Sequence, residues 1–122
     1  MNTTAIGSKA EEKARTWLER NGWVCLEQNA RTRFFELDLV MKDGDTTVFV
    51  EVKYRKSNDY GGGVGAISRD KQRRLIAGAQ VWLAEKKLWD EPVRFDVMIF
   101  RETSSGVKLQ HLKDCLWRES LW

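Results

Sequence analysis

A chain of 122 residues is sized for one domain, and 42% hydrophobic with 32% charged residues is the balance of a soluble globular protein with one modest core. The net charge of +3 is a mild basic bias that admits a nucleic-acid partner without requiring one. No apolar run approaches the roughly 18–20 residues of a membrane span, and the N-terminus MNTTAIGSKAEEKA has no apolar core to act as a secretory signal.

Ser8–Asn21 has helical periodicity. Ala10, Ala14, Trp17 and Leu18 make its apolar stripe, Glu11 lies on the flank, Ser8 and Glu11 have capping-box spacing, and Gly22 is placed to end it. Trp23–Gln28 reads as a short strand and Asn29–Arg33 as a basic polar turn. Phe34–Lys42 is a second strand, followed by Asp43-Gly44, a strong hairpin signal. Val48–Arg55 is the third and most hydrophobic strand. Lys56–Ala66, with GGGVG at its centre, lacks the phosphate-loop pattern and reads as a flexible connection. Ser68 caps a helix reaching about Lys87, with Leu75, Ala79, Trp82 and Leu83 on its apolar side. Val93–Phe100 and Val107–Leu112 are the last strands, joined through Ser104-Ser105-Gly106, and a tryptophan-bearing tail, Lys113–Trp122, closes the chain. The order αβββαββ predicts an α/β domain spanning 1–122, with a mixed β-sheet flanked by helices. The long helix crosses over to set Val93–Phe100 parallel to the central strand.

The anomaly lies in the central strand, VFVEVKYR. Val48, Val50, Val52 and Tyr54 share one face and must cover a core, while Phe49, Glu51, Lys53 and Arg55 share the other. An acid and a base in the middle of a buried strand are costly unless paired with each other, a metal or a substrate. The preceding hairpin supplies a second acid. A two-residue loop at Asp43-Gly44 pairs Lys42 with Asp45 and leaves Asp38 and Glu51 diagonal on one face, with Cβ atoms about 7–8 Å apart. A four-residue loop puts them directly opposite, and an odd-length loop without a bulge puts them on opposite faces. Two converging carboxylates suit a hard divalent cation such as Mg²⁺, which can activate water for attack on a phosphodiester, with a lysine on the same face stabilising developing charge. An ordinary solvated face or cross-strand ion pair is the plainer reading of Glu51-x-Lys53. Glu36 is expected to pair with Lys53 or Arg55. Phe34 and Phe35 are expected in the core rather than as base-stacking platforms. The single histidine, His111, has no nucleophile motif nearby and reads as solvated or structural. Cys25 and Cys115 form no C-x-x-C pair, so reduced thiols of a cytoplasmic protein are the simpler reading.

Asp38 followed by Glu51-x-Lys53 is also the pattern of the PD-(D/E)xK nucleases. The chain resembles the small bacterial YraN-like family of that superfamily, which has a restriction-endonuclease-like fold similar to that of archaeal Holliday-junction resolvases. The matching stretches are Gly7 with Glu11 and Ala14, then Gly22, Asn29-x-Arg31, ELDLV at Glu36–Val40, VFVEVKYR, Lys71 with Arg74-Leu75, and RFDV at Arg94–Val97. The resemblance implies Asp38 and Glu51 as ligands of Mg²⁺ or Mn²⁺, Lys53 as the catalytic lysine, and Glu11 as a helix-borne acid reaching the same site. It departs from the family at Phe35 and Ala10, where glycine is usual. Arg31, Arg33, Arg55, Lys56, Arg69, Lys71, Arg73 and Arg74 come from segments expected to flank the cleft and contact DNA phosphates. Two functions follow, an endonuclease on structured DNA or a non-catalytic nucleic-acid-binding module on the same fold. Cleavage of a junction needs two sites and hence a homodimer.

Overall fold

A computed structural model describes residues 3–56 and 67–116. The elements run α1 (Thr3–Arg20), β1 (Val24–Arg31), β2 (Glu36–Asp43), β3 (Thr46–Arg55), α2 (Arg69–Lys86), β4 (Val93–Thr103) and β5 (Gly106–Leu112). This is the expected αβββαββ order. The five strands form one sheet in sequence order, antiparallel throughout except for the parallel β3–β4 pair that α2 bridges. The glycine-rich connection and the tryptophans of the tail fall outside the described residues.

Each face of the sheet is covered by one helix. Ala10, Ala14 and Leu18 of α1 pack on Leu39, Met41, Val48, Val50, Met98 and Phe100. Leu75, Ile76, Ala79, Trp82 and Leu83 of α2 pack on Val40, Phe49, Phe95, Val97 and Ile99. β3 and β4 are therefore buried on both faces, which is why they read as near-continuous hydrophobic runs. The Ser68 hydroxyl accepts the Lys71 N–H at 3.1 Å, an N-cap worth about 1 kcal/mol. It begins α2 where the sequence predicts.

Several expectations are corrected. α1 runs through Ser8 from Thr3, so Ser8 is not its cap and Glu11 is not held in a capping box. Trp17 is 42% exposed, because the buried stripe repeats at four residues through Ala10, Ala14 and Leu18 and leaves Trp17 on its edge. Val52 is half-buried, whereas Val50, Leu75 and Trp82 are buried as expected. Leu39 and Val40, and likewise Val97 and Ile99, are both buried rather than one of each pair, because both faces of the sheet are covered. β1 extends through Asn29–Arg31, which are strand rather than turn, with Asn29 at φ 54°. Phe34 and Phe35 precede β2, and Phe34 stands in solvent. The hairpin turns on Gly44-Asp45, one residue later than read, because Gly44 takes the positive φ of 61°. Asp43 thus pairs with Thr46, and the register shifts to set Leu39 against Val50.

His111 is structural rather than solvated. Its Nε2 lies 2.8 Å from Asp96 Oδ2, and the Asp96 carboxylate also accepts from Arg94 Nε at 3.0 Å and the Asp114 N–H at 2.9 Å. Burial pushes the Asp96 carboxyl upward, but these donors outweigh it and hold the group below the usual carboxylate range. Trp23 packs between the Arg94 guanidinium, 5.2 Å from its ring centroid, and the His111 ring at 5.7 Å. This network ties β4, β5 and the start of β1 together beneath α1.

Candidate active site

The β2–β3 ladder ends at Leu39–Val50. Beyond it β2 stays paired with β1 to Arg31–Glu36, and β3 with β4 to Arg55–Arg101, so the sheet forks. Asp38 stands at the crotch. Its Oδ2 accepts the Val52 N–H at 2.9 Å, a donor on β3 that the ladder no longer satisfies. The fork also breaks the alternation of β2. Leu37 joins the core beneath α2, while Leu39 and Met41 join the core beneath α1. Asp38 is thereby reachable from both sides of the sheet.

Continuing the hairpin register places Glu51 opposite Asp38. Glu51 is 5% exposed, and its Oε1 lies 3.2 Å from Lys53 Nζ and 4.0 Å from Lys71 Nζ. Its Oε2 is buried with no hydrogen-bond partner. Burial first, and the Asp38 charge second, raise the Glu51 carboxyl from 4.5 to about 7, against the pull of the two lysines. Burial likewise raises Asp38, countered by the Val52 N–H, Glu51 and Lys71. From the other face, α1 brings Glu11 near Asp38 and Asn29, close enough for both to shift its carboxyl. Burial and the Asp38 charge raise Glu11 from 4.5 to about 7. Glu51 thus meets Lys53 and Lys71, and Asp38 lies near both Glu51 and, on the other side, Glu11.

The family match covers this whole arrangement. The model of the uncharacterised protein family UPF0102 matches residues 10–100, from the start of the buried α1 stripe to β4. The chain belongs to the UPF0102 family. It is similar to the UPF0102 protein YraN of Salmonella arizonae, 46% identical over 110 residues that cover 88% of this chain and 81% of that protein. The proteins of the same name from Salmonella newport and Salmonella heidelberg match to the same extent. All the UPF0102 site residues described here lie inside the matched segment.

The carboxylates fit a hard cation in a particular way. Among the described residues, no three His, Cys, Asp or Glu side chains are grouped to enclose a metal ion. Mg²⁺ characteristically takes one or two carboxylates and keeps several waters for substrate contact. Asp38 and Glu51 supply such a pair, and Glu51 Oε2 is an acceptor still lacking a donor.

The predicted phosphate contacts divide. Arg33, Lys71 and Arg74 line one groove of about 240 Å³ with Thr32, Phe34, Phe35, Glu36 and Leu75. Arg31 instead pairs with Glu36 at 3.0 Å, across the β1–β2 ladder. This corrects the expected pairing of Glu36 with Lys53 or Arg55, which lie on the other arm of the fork. Arg55 and Lys56 stand at the far end of β3, Arg55 half-buried and Lys56 exposed. Arg69 and Arg73 lie exposed on α2. Asn29, which the sequence offers only as part of the Asn29-x-Arg31 match and with no role, lies beside Glu11. Its sequence signal is a polar residue tolerant of the left-handed backbone it adopts within β1, at φ 54°.

Proposed function

We propose that this UPF0102 protein is a Mg²⁺- or Mn²⁺-dependent endonuclease acting on structured DNA, with Asp38 and Glu51 as the metal-binding carboxylates. The observation carrying this reading is the unpartnered Oε2 of the buried Glu51 beside a second, half-buried carboxyl, that of Asp38. An unsatisfied buried acceptor costs about 1–3 kcal/mol, more when charged, a cost that a bound cation would relieve. When bound, the cation polarises a phosphoryl oxygen and lowers the pKa of a water to make a nucleophile.

The protein's own residues supply the rest. In this reading Lys53, whose Nζ lies 3.2 Å from Glu51, stabilises charge developing on a non-bridging phosphate oxygen. Lys71, fixed in the first turn of α2 by the Ser68 cap, anchors the adjacent phosphate. Glu11, with a carboxyl near neutrality, holds a proton at the rim beside Asp38. Arg33 and Arg74 extend the basic track away from the fork.

A second reading is a non-catalytic nucleic-acid-binding module on the same fold. It is favoured by the two lysines that approach Glu51 Oε1 and offset its charge without a metal. A panel of branched, flapped, single-stranded and duplex DNA, incubated with and without Mn²⁺, separates the two. Metal-dependent cleavage of one or more structured substrates supports the endonuclease. Binding without cleavage on every substrate assigns the module.

A further inference from the structure

Phe34 is 80% exposed, the most exposed large apolar side chain among the described residues. Its position is built, not accidental. The Thr32 N–H donates to the Phe35 carbonyl at 2.9 Å, and the Thr32 hydroxyl accepts the N–H groups of Phe34 and Phe35 at 3.1 and 3.2 Å. The Phe35 ring is seated on Gly78 of α2, so close that a Cβ there would stand 2.9 Å from it. With the turn tied by Thr32 and pinned by Phe35, Phe34 is held outward. The Arg33 guanidinium lies over its ring at 5.5 Å from the centroid. The groove alongside carries Lys71 and Arg74, and Lys71 is the same side chain that approaches Glu51 at 4.0 Å.

A solvent-facing aromatic ring beside three cations matches a nucleotide, with the base on the ring and phosphates on the cations. Bases inside a duplex already stack on both neighbours, so the ring can accept only an unpaired one. We propose that Phe34 is a stacking platform for an unpaired base, with Arg33, Lys71 and Arg74 on the flanking phosphates. The substrate class is then DNA with a single-stranded segment at the fork, such as a flap, a branch point or a frayed end. This rests on the DNA-binding reading above and needs no cleavage.

The test measures binding in EDTA, using a short oligothymidylate carrying one 2-aminopurine and a blunt duplex of equal length. The exposed position of Phe34 leaves the fold out of the comparison. Phe34→Ala should weaken single-strand binding about ten-fold, as loss of one stacked base does. Duplex affinity should change less than two-fold. Phe34→Trp should retain binding and quench 2-aminopurine, and Phe34→Leu should fall with the alanine variant. Single-strand binding that is unchanged in Phe34→Ala, or fully kept in Phe34→Leu, overturns the platform while leaving the DNA reading intact. Self-association lost in Phe34→Ala without a change in DNA affinity assigns the ring to a second copy and also overturns it. Absence of DNA binding by the unmutated protein defeats both readings.

Discussion

Glu51→Gln should stabilise the metal-free protein at pH 8 and leave it unchanged near pH 4. Glu51 is almost wholly buried, and burial with the Asp38 charge lifts its carboxyl from 4.5 to about 7. Between those values the folded chain holds a proton that the unfolded chain has released. The native state therefore binds more protons, and stability falls as pH rises through the window. The group stabilises the fold fully below about pH 4.5 and opposes it fully above about pH 7. The difference converts to on the order of 3 kcal/mol at pH 8. Glutamine keeps the shape and cannot ionise, so it removes this penalty. For a domain of this size the rise in Tm is roughly 10 °C. Thermal unfolding in EDTA at pH 4, 6 and 8 measures it. A Tm difference that does not grow with pH, or a variant less stable at pH 8, refutes the claim that Glu51 is held ionised at a cost in the metal-free fold.

Affinity for single-stranded DNA should fall steeply with salt. Arg33→Ala, Lys71→Ala and Arg74→Ala combined should flatten the log–log slope by about 2, as roughly 0.7 is lost for each phosphate contact. Gly78→Ala should destabilise by about 1 kcal/mol despite the better helix propensity of alanine, because its Cβ meets the Phe35 ring. Adding Phe35→Ala should restore the helix-propensity gain, a coupling that urea titration of the double-mutant cycle reads directly. Arg94→Ala should destabilise by about 3 kcal/mol, since it strips a donor pair from an Asp96 that is 1% exposed. An unfolding midpoint unchanged in urea would count against Asp96 as a structural charge.

Much of this architecture is legible in the sequence because it follows from short periodicities. The Ser68 cap, the alternation of VFVEVKYR and the crossover by α2 are local patterns, and each appears where read. The candidate site was visible as a cost, with a carboxylate in a strand too hydrophobic to carry one unassisted. What stayed hidden depends on non-local geometry. The fork between β2 and β3 cannot be seen in either strand alone, and it is the fork that turns Asp38 toward both helices. The turn slipped by one residue because Asp43-Gly44 and Gly44-Asp45 are equally good two-residue loops in sequence, and the core faces of both strands select between them. Asp96 has the same signature as Glu51, an acid in a hydrophobic strand. Its partners His111 and Arg94 satisfy it completely, so the same pattern yields a structural network in one place and an unfinished site in the other. Hydrophobicity alone places Phe34 in the core. Only the packing of Phe35 on Gly78 decides which of the two rings goes in.

The central claim is that Asp38 and Glu51 hold a metal which Lys53 assists but does not bind. Calorimetric titration of Mn²⁺ into the unmutated protein, Glu51→Gln and Lys53→Ala, with a cleavage assay on the same preparations, tests it most directly. The account predicts saturable binding to the unmutated protein and to Lys53→Ala, loss of binding in Glu51→Gln, and loss of cleavage in both variants. Cleavage by Lys53→Ala at the unmutated rate, or Mn²⁺ binding that survives Glu51→Gln unchanged, would contradict it.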